Sequence, residues 1–327
     1  MSDRPHVTRS RANPGGMDVT QVLGEVLPYR HRKPSWFKVQ APGGGSYRRL
    51  RAEIAGEDLH TVCQEAACPN IGDCWERGTA TFMILGDTCT RRCGFCNVKT
   101  GKPTWEDPLE PARVARSVAR MGLRHAVVTS VDRDDLPDLG ASVWCGVIRS
   151  IRAQAPACRV EVLTPDFRGE EMPLARVIAE RPDVFNHNVE VAPRLYPVAR
   201  RGSTWERSLR VLRNAHALGE GEVATKSGFM VGLGESFEEM VDALGRLREQ
   251  DVSIITVGQY LRPTERHLPV VRYWRPEEFD ALRAAGMEMG FDHVAAGPLV
   301  RSRYHADEHV AQDRPGVGPL AGAGLAS

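Results

Sequence analysis

The chain has 327 residues, enough for one large α/β core with extensions, and carries 43 basic against 42 acidic side chains for a formal charge of +1. That balance gives no global field favouring nucleic acid or a membrane surface, so neither is expected as a partner. No apolar run approaches the ~20 residues of a membrane span and no apolar signal core opens the chain, so a cytoplasmic protein is expected.

Residues 1–34 are rich in Arg and Pro without firm periodicity and read as a loosely ordered arm. Lysine occurs only at Lys33, Lys38, Lys99, Lys102 and Lys226, so arginine abundance is a bias of the whole chain and lends an organellar targeting peptide little support. Residues 35–80 form an N-terminal extension that holds the stretch CQEAACPNIGDC. From 81 to 296, short β-rich runs (81–85, 125–130, 159–163, 183–190, 228–232 and 253–260) alternate with longer amphipathic segments. In 111–122, Val114, Val118 and Met121 share one helical face while Arg113, Arg116 and Arg120 stay near water. Ser236 with Glu239 three residues on reads as a capping box. Residues 297–327 are a C-terminal extension whose small-residue end is expected to be mobile.

Repeated βα units predict a parallel sheet, here an incomplete barrel of about six strands with its site at the C-terminal strand ends. Polar residues gather at those ends: Cys89 to Cys96 after the first run, Thr129, Ser130 and Asp132 after the second, Thr164 and Asp166 after the third. Asn186 to Glu190, then Gly232 to Glu235, then Gln259 and Tyr260 follow the later runs. The bland readings are turn geometry for Gly232 and Gly234, a structural role for His187, a solvated surface for the carboxylates of TSVDRDDLPD, and a surface or pocket-edge cation for Lys226.

Six of the eight cysteines fall in two triplets, Cys63, Cys68 and Cys74 as C-x4-C-x5-C, and Cys89, Cys93 and Cys96 as C-x3-C-x2-C. Such crowding in a long, non-secreted chain points to metal rather than disulfides. Zinc sites usually pair two knuckles into four ligands, and neither triplet does so. A [4Fe–4S] cluster held by three thiolates has one iron open to a further ligand, which accounts for the missing fourth cysteine. Cys145 and Cys158 read as ordinary buried thiols. No G-x-S-x-G, P-loop or dinucleotide fingerprint occurs in a strand-to-helix context.

The stretch CTRRCGFC resembles the signature of radical S-adenosylmethionine enzymes, and with the upstream triplet it resembles lipoyl synthases. VVTSVDRDDLPD, EVLTPDFRG, DVFNHNVE, TKSGFMVGLGE, GQYLRPTERHLPVVRY and GPLVRSRYHADE are similar to the same family, so the likeness covers roughly residues 33 to 308. It implies a partial (β/α)6-type radical SAM barrel whose extensions carry an auxiliary iron–sulfur cluster, with two [4Fe–4S] clusters and S-adenosylmethionine as cofactors. By the same resemblance Cys89, Cys93 and Cys96 generate the radical. Cys63, Cys68 and Cys74 hold the sacrificial auxiliary cluster, and Ser130, Asp132, Asn188 and Glu190 contact cofactor or substrate.

The implied reaction inserts two sulfur atoms at carbons six and eight of a protein-bound octanoyl-lysine, where unactivated C–H bonds give acid–base and nucleophilic catalysis no purchase. Implied partners are lipoyl carrier domains of 2-oxoacid dehydrogenases or the glycine cleavage H protein, a low-potential donor such as ferredoxin or flavodoxin, and an iron–sulfur cluster carrier. The family usually ends in R-S-S-Y, a serine of which ligates the auxiliary cluster; here residues 301–304 read RSRY, so Arg303 stands where the ligand serine is expected, Ser302 is the remaining candidate ligand, and a weakened or water-filled fourth site is expected. A guanidinium has no free lone pair for iron. Two alternatives stay open at this point: a related radical enzyme with altered or lost sulfur insertion, and a cluster- or zinc-bearing binding module without turnover.

Overall fold

The computed structural model describes residues 19–37, 71–76 and 79–302. Seven strands form one all-parallel sheet in chain order: β1 (Thr79–Ile84), β2 (His125–Ser130), β3 (Arg159–Leu163), β4 (Val184–Asn186), β5 (Ala224–Val231), β6 (Ile254–Gln259) and β7 (His293–Gly297). Each strand pairs only with its sequence neighbours, so β1 and β7 remain apart and the barrel is open. Between strands run α1 (Glu110–Met121), α2 (Ala141–Gln154), α3 (Glu171–Ala179), α4 (Trp205–Gly219), α5 (Phe237–Arg248) and α6 (Pro276–Glu288).

The helices follow the apolar periodicity of the sequence. In α1, Val114, Val118 and Met121 are buried while Arg116 and Arg120 face water, and Gly122 ends the helix at φ 59°, a left-handed turn that favours glycine. Ser236 and Glu239 form the expected capping box at the start of α5.

Where the strands differ from expectation, the side chains explain it. β7 was not expected, because HVAAG lacks a β-branched run; it gains its place by pairing with β6 over Ile254–Gly258. The run 183–190 forms a regular strand only over Val184–Asn186, after which Glu190, at φ 69°, rejoins β5 as a single bridge to Phe229. β5 begins at Ala224 and so includes Lys226, which is wholly buried rather than at a surface or pocket edge. The reason lies across the barrel: Lys226 Nζ stands 2.8 and 3.1 Å from the two carboxylate oxygens of Glu161 on β3. Asn186 Nδ2 donates to Glu161 at 2.9 Å and His125 Nε2 lies 3.4 Å from it, all four residues being fully buried.

Part of the arm expected to be loosely ordered is docked. Val19 and Leu23 enter the core beside α5, and the Leu27 amide donates to Val270 O at 2.7 Å. Gly234, at φ 103°, leaves room for this segment, since a Cβ there would lie 2.6 Å from Leu23 O.

Candidate active site

After β1 the chain passes through left-handed Leu85 and Gly86 into a short parallel ladder between Thr88–Cys89 and Lys99–Thr100, which closes a loop carrying Cys89, Cys93 and Cys96. Gly94 locks that loop from both sides: its amide donates to Ala199 O at 2.8 Å and its carbonyl accepts from Leu268 N at 2.9 Å. A Cβ on Gly94 would meet Leu268 Cγ at 2.9 Å and Val198 O at 3.0 Å, so the close approach needs glycine. His267 Nε2 lies 3.0 Å from Cys96 O.

Arg91, inside the cysteine motif, clamps the loop to the next two strand ends. It meets Asp134 in a bidentate pair at 2.6 and 2.7 Å and Asp166 at 2.7 Å, with Asp132 at 3.4 Å. Arg133 makes a second bidentate pair with Asp135 at 2.9 Å. Asp132, Asp134 and Asp135 are therefore partners of the buried guanidinium groups of Arg91 and Arg133, while Asp135 itself stays exposed and Asp138 pairs with the exposed Arg176. Burial alone would raise the Asp166 carboxyl, but Arg91 beside it holds it well below the usual carboxylate range.

The three thiols are half-buried, and burial pushes Cys89 up to about 12 and raises Cys93 and Cys96 as well. Against that, each sulfur has a group that favours the thiolate. The amides of Arg91 and Asp132 both point at Cys89 Sγ from 3.4 Å, the Arg200 charge acts on Cys93, and the Val98 amide acts on Cys96. Such a donor set fits a metal-bound thiolate, which the metal's own charge keeps deprotonated. Among the described residues no three His, Cys, Asp or Glu side chains converge on a single-ion site. A four-iron cluster, taking one thiolate per iron, asks for separated sulfurs instead.

Asp132 and Glu190 both act electrostatically on Cys93 and Cys96, so these two expected contact residues lie at the cysteine loop. Asn188 side-chain contact with Glu190 joins them, and Asn188 Nδ2 donates to Ser302 Oγ at 2.7 Å while its Oδ1 is buried without a partner. Ser130 is at the same rim but its hydroxyl donates to Val131 O at 2.8 Å. Ser302 arrives through two inner glycines. Val300 O would sit 2.0 Å from a Cβ on Gly258, and Ser302 Oγ 3.1 Å from one on Gly228.

His187 is fully buried between Thr164 O and Ser208 Oγ, and burial with the nearby Arg200 lowers it to about 3, so it stays neutral. Glu235 accepts from the amides of Gly232 and Leu233 and from Trp274 Nε1, which makes the GLGE stretch a braced turn. Gln259 and Tyr260 bond Arg272 O and Leu268 O, holding the loop after β6, and Tyr260 feels the charge of Cys96.

Cys74 is buried in a short helix, Ile71–Glu76, that packs beside β1; Cys63, Cys68 and Arg303 lie outside the described residues. Cys145 and Cys158 are buried thiols with backbone carbonyl partners. Sequence reasoning missed Arg91 and Arg200 because arginine is common throughout the chain. The signal was the pairing of TRRC in one strand-end loop with DRDD in the next.

The chain matches the Radical SAM superfamily over residues 83–247 and the N-terminal domain of lipoyl synthase of that family over 16–68. It is 57% identical over 298 residues to a lipoyl synthase of Rubrobacter xylanophilus, covering 90% of this chain and 92% of that one. The chain belongs to the lipoyl synthase family. A lipoyl synthase of Dichelobacter nodosus is 51% identical, with 85% of this chain and 86% of that one covered. Among solved structures, methylornithine synthase shares the fold at TM-score 0.50 and 12% identity, covering 80% of this chain and 87% of that one. Streptococcus suis SuiB bound to S-adenosylmethionine does so at TM-score 0.52 and 10% identity, covering 69% and 53%.

Membership in the lipoyl synthase family brings S-adenosylmethionine and [4Fe–4S] clusters, the auxiliary one included, and an octanoylated carrier protein as substrate. It supports sulfur insertion over a binding module, and it gives the altered paralogue suggested by Arg303 no support. No helix among the described residues is long and apolar enough to cross a membrane.

Proposed function

We propose that this lipoyl synthase holds its radical-generating cluster on Cys89, Cys93 and Cys96, and its auxiliary cluster on Cys63, Cys68, Cys74 and Ser302. The observation that carries the first assignment is the supply of a thiolate-favouring group to each of the three loop sulfurs. When bound, the cluster and S-adenosylmethionine supply a carbon radical able to abstract hydrogen from an unactivated C–H bond.

The chain's own residues position that chemistry. Arg91 ties the loop to Asp134 and Asp166 at the next two strand ends, and Gly94 ties it to Ala199 and Leu268. Asp132, a half-buried carboxyl beside Arg91, is our candidate partner for an ammonium group, and Asn188 and Glu190 are candidate acceptors for a hydroxylated ligand. Ser302 has one lone pair taken by Asn188 and keeps the other for iron. The acyl-lysine is offered by lipoyl carrier domains of 2-oxoacid dehydrogenases or by the glycine cleavage H protein in the cytoplasm. A ferredoxin or flavodoxin supplies electrons, and a cluster carrier rebuilds the spent auxiliary cluster.

The test is anaerobic. Protein with Cys89, Cys93 and Cys96 all changed to Ala loses about half its iron and sulfide and all 5′-deoxyadenosine formation. Protein with Cys63, Cys68 and Cys74 changed keeps 5′-deoxyadenosine formation and makes no lipoyl product. Full iron content in the first variant would refute the assignment.

A further inference from the structure

We propose that a basic, aromatic face beside the barrel mouth, built from Arg30, Arg32, Lys33, Arg262 and Arg266 around Tyr29, docks an acidic face of the protein that bears the acyl-lysine. The inference rests on the reading above that the substrate is protein-bound.

Two stretches distant in sequence build this face. Tyr29 Oη donates to Pro263 O at 3.4 Å, and the Arg262 guanidinium stands 5.5 Å from the Tyr29 ring centre. His31 stacks on Tyr273 with ring centres 6.3 Å apart, and Phe37 reaches the same ring at 5.3 Å. Arg30, Arg32, Lys33 and Arg266 are exposed, and Tyr29 is 43% exposed. Large rings held outside the core in this way are the residues that protein interfaces favour.

What marks this face is the number of cations without a carboxylate that gather on two adjoining stretches. Several exposed arginines elsewhere are matched, Arg149 with Glu180, Arg176 with Asp138, Arg194 with Glu239 and Arg283 with Asp280, while Arg92, Arg168, Arg210 and Arg213 are exposed without a carboxylate partner among the described residues. None of the five cations here pairs with a carboxylate of the described residues, and Arg262 spends its donors on His267 O and Glu265 O. Glu25 and Glu265 are the acids on the same two stretches, which leaves a local excess of positive charge on a chain that is nearly neutral overall.

Position ties the face to the reaction. The loop that carries Arg262 and Arg266 continues through His267 and Leu268, which bond the carbonyls of Cys96 and Gly94. A partner seated on these cations is therefore one loop away from the cysteines, within reach of an extended acyl-lysine. Unpaired exposed charge acts mainly on encounter and register, so it selects a charged carrier without changing the chemistry at the mouth.

The experiment compares an octanoylated carrier domain with a short, uncharged octanoyl-lysine peptide. Four changes are combined, Arg30→Glu, Arg32→Glu, Lys33→Glu and Arg266→Glu, and Arg266→Glu alone serves as the milder variant. The combined variant is expected to raise KM for the carrier at least about tenfold at low salt, with kcat and the peptide KM unchanged. Native KM for the carrier should rise with salt, and that dependence should flatten in the variants. Equal effects on carrier and peptide, no effect on either, or tighter binding of the native protein to duplex DNA than to the carrier would overturn the proposal. Calorimetric binding of the carrier reads docking independently of turnover. Docking without lipoyl product would count against the sulfur-insertion reading alone.

Discussion

Two cations inside this barrel, Lys226 fully buried and Arg200 half-buried, are treated differently. Lys226, at the floor, has a carboxylate of its own: Glu161 at 2.8 Å, braced by Asn186 and His125. Arg200, at the mouth, has no carboxylate within ion-pair distance among the described residues. Its guanidinium donates to Asn188 O at 2.5 Å and to the hydroxyls of Tyr196 and Ser208, and it lies 3.3 Å from His187 Nε2. The floor charge is closed within the protein. The mouth charge is solvated by neutral groups and stands beside Cys93, where three thiolates on a cluster would form a net anion to meet it. A cation left without a carboxylate beside a site marks a place for an anionic ligand; a buried one that is already paired marks structure.

The sharpest way to break that distinction is to remove each cation in turn. Lys226→Met strands Glu161 in the interior and is expected to cost about 3–5 kcal/mol of stability, read by urea unfolding. The double change Glu161→Gln with Lys226→Met should recover most of it. Arg200→Met leaves four acceptors underserved at a cost of about 1–3 kcal/mol. Its distinguishing effect is on the cluster: with the positive charge beside Cys93 gone, the added electron is less favoured, and the midpoint potential should fall by on the order of tens of millivolts. An unchanged potential in Arg200→Met would mean that the mouth charge is structural too.

Much of this was legible in the sequence, for physical reasons. The cysteine triplets, the capping box at Ser236 and the apolar face of α1 are local patterns, and local patterns survive folding. Lys226 was misplaced because its partner is 65 residues away on another strand, and a lysine with a serine and a glycine after it looks like a loop. The Arg91 clamp was hidden for a similar reason: its carboxylates sit 43 and 75 residues further on, and composition made any one arginine look ordinary. Pairing across strands is set by register, which no single segment carries.

Acid sharpens the same comparison. Burial alone would raise Glu161, but the Lys226 charge and His125 overcome it and bring the carboxyl to about 2 from 4.5. Its contribution to stability is therefore present above pH 4.5 and is lost as pH falls toward 2. Burial and Arg200 lower His187 to about 3 from 6.5, so the unfolded chain takes up that proton first and stability falls from pH 6.5 toward 3. Unfolding measured against pH should show two limbs, the upper one removed by His187→Asn and the lower one by Glu161→Gln. A single limb insensitive to His187 would contradict its neutral, enclosed state.

The smallest expected effect concerns the link between the barrel and the C-terminal segment. Asn188 Nδ2 donates to Ser302 Oγ at 2.7 Å, with Gly228 and Gly258 leaving the space that the segment occupies. A neutral hydrogen bond of this kind is worth about 1 kcal/mol, so Ser302→Ala and Asn188→Ala should each lower stability by no more than that. They should nevertheless separate in the iron. Ser302→Ala removes both the hydrogen bond and the oxygen proposed as a ligand, and is expected to alter the auxiliary-cluster spectrum of protein already lacking Cys89, Cys93 and Cys96. Asn188→Ala removes only the orienting donor and should leave that spectrum nearly as it was, while weakening S-adenosylmethionine binding in the intact protein. The same auxiliary spectrum in Ser302→Ala as in the parent would remove Ser302 from the ligand set and leave it as the partner of Asn188 alone.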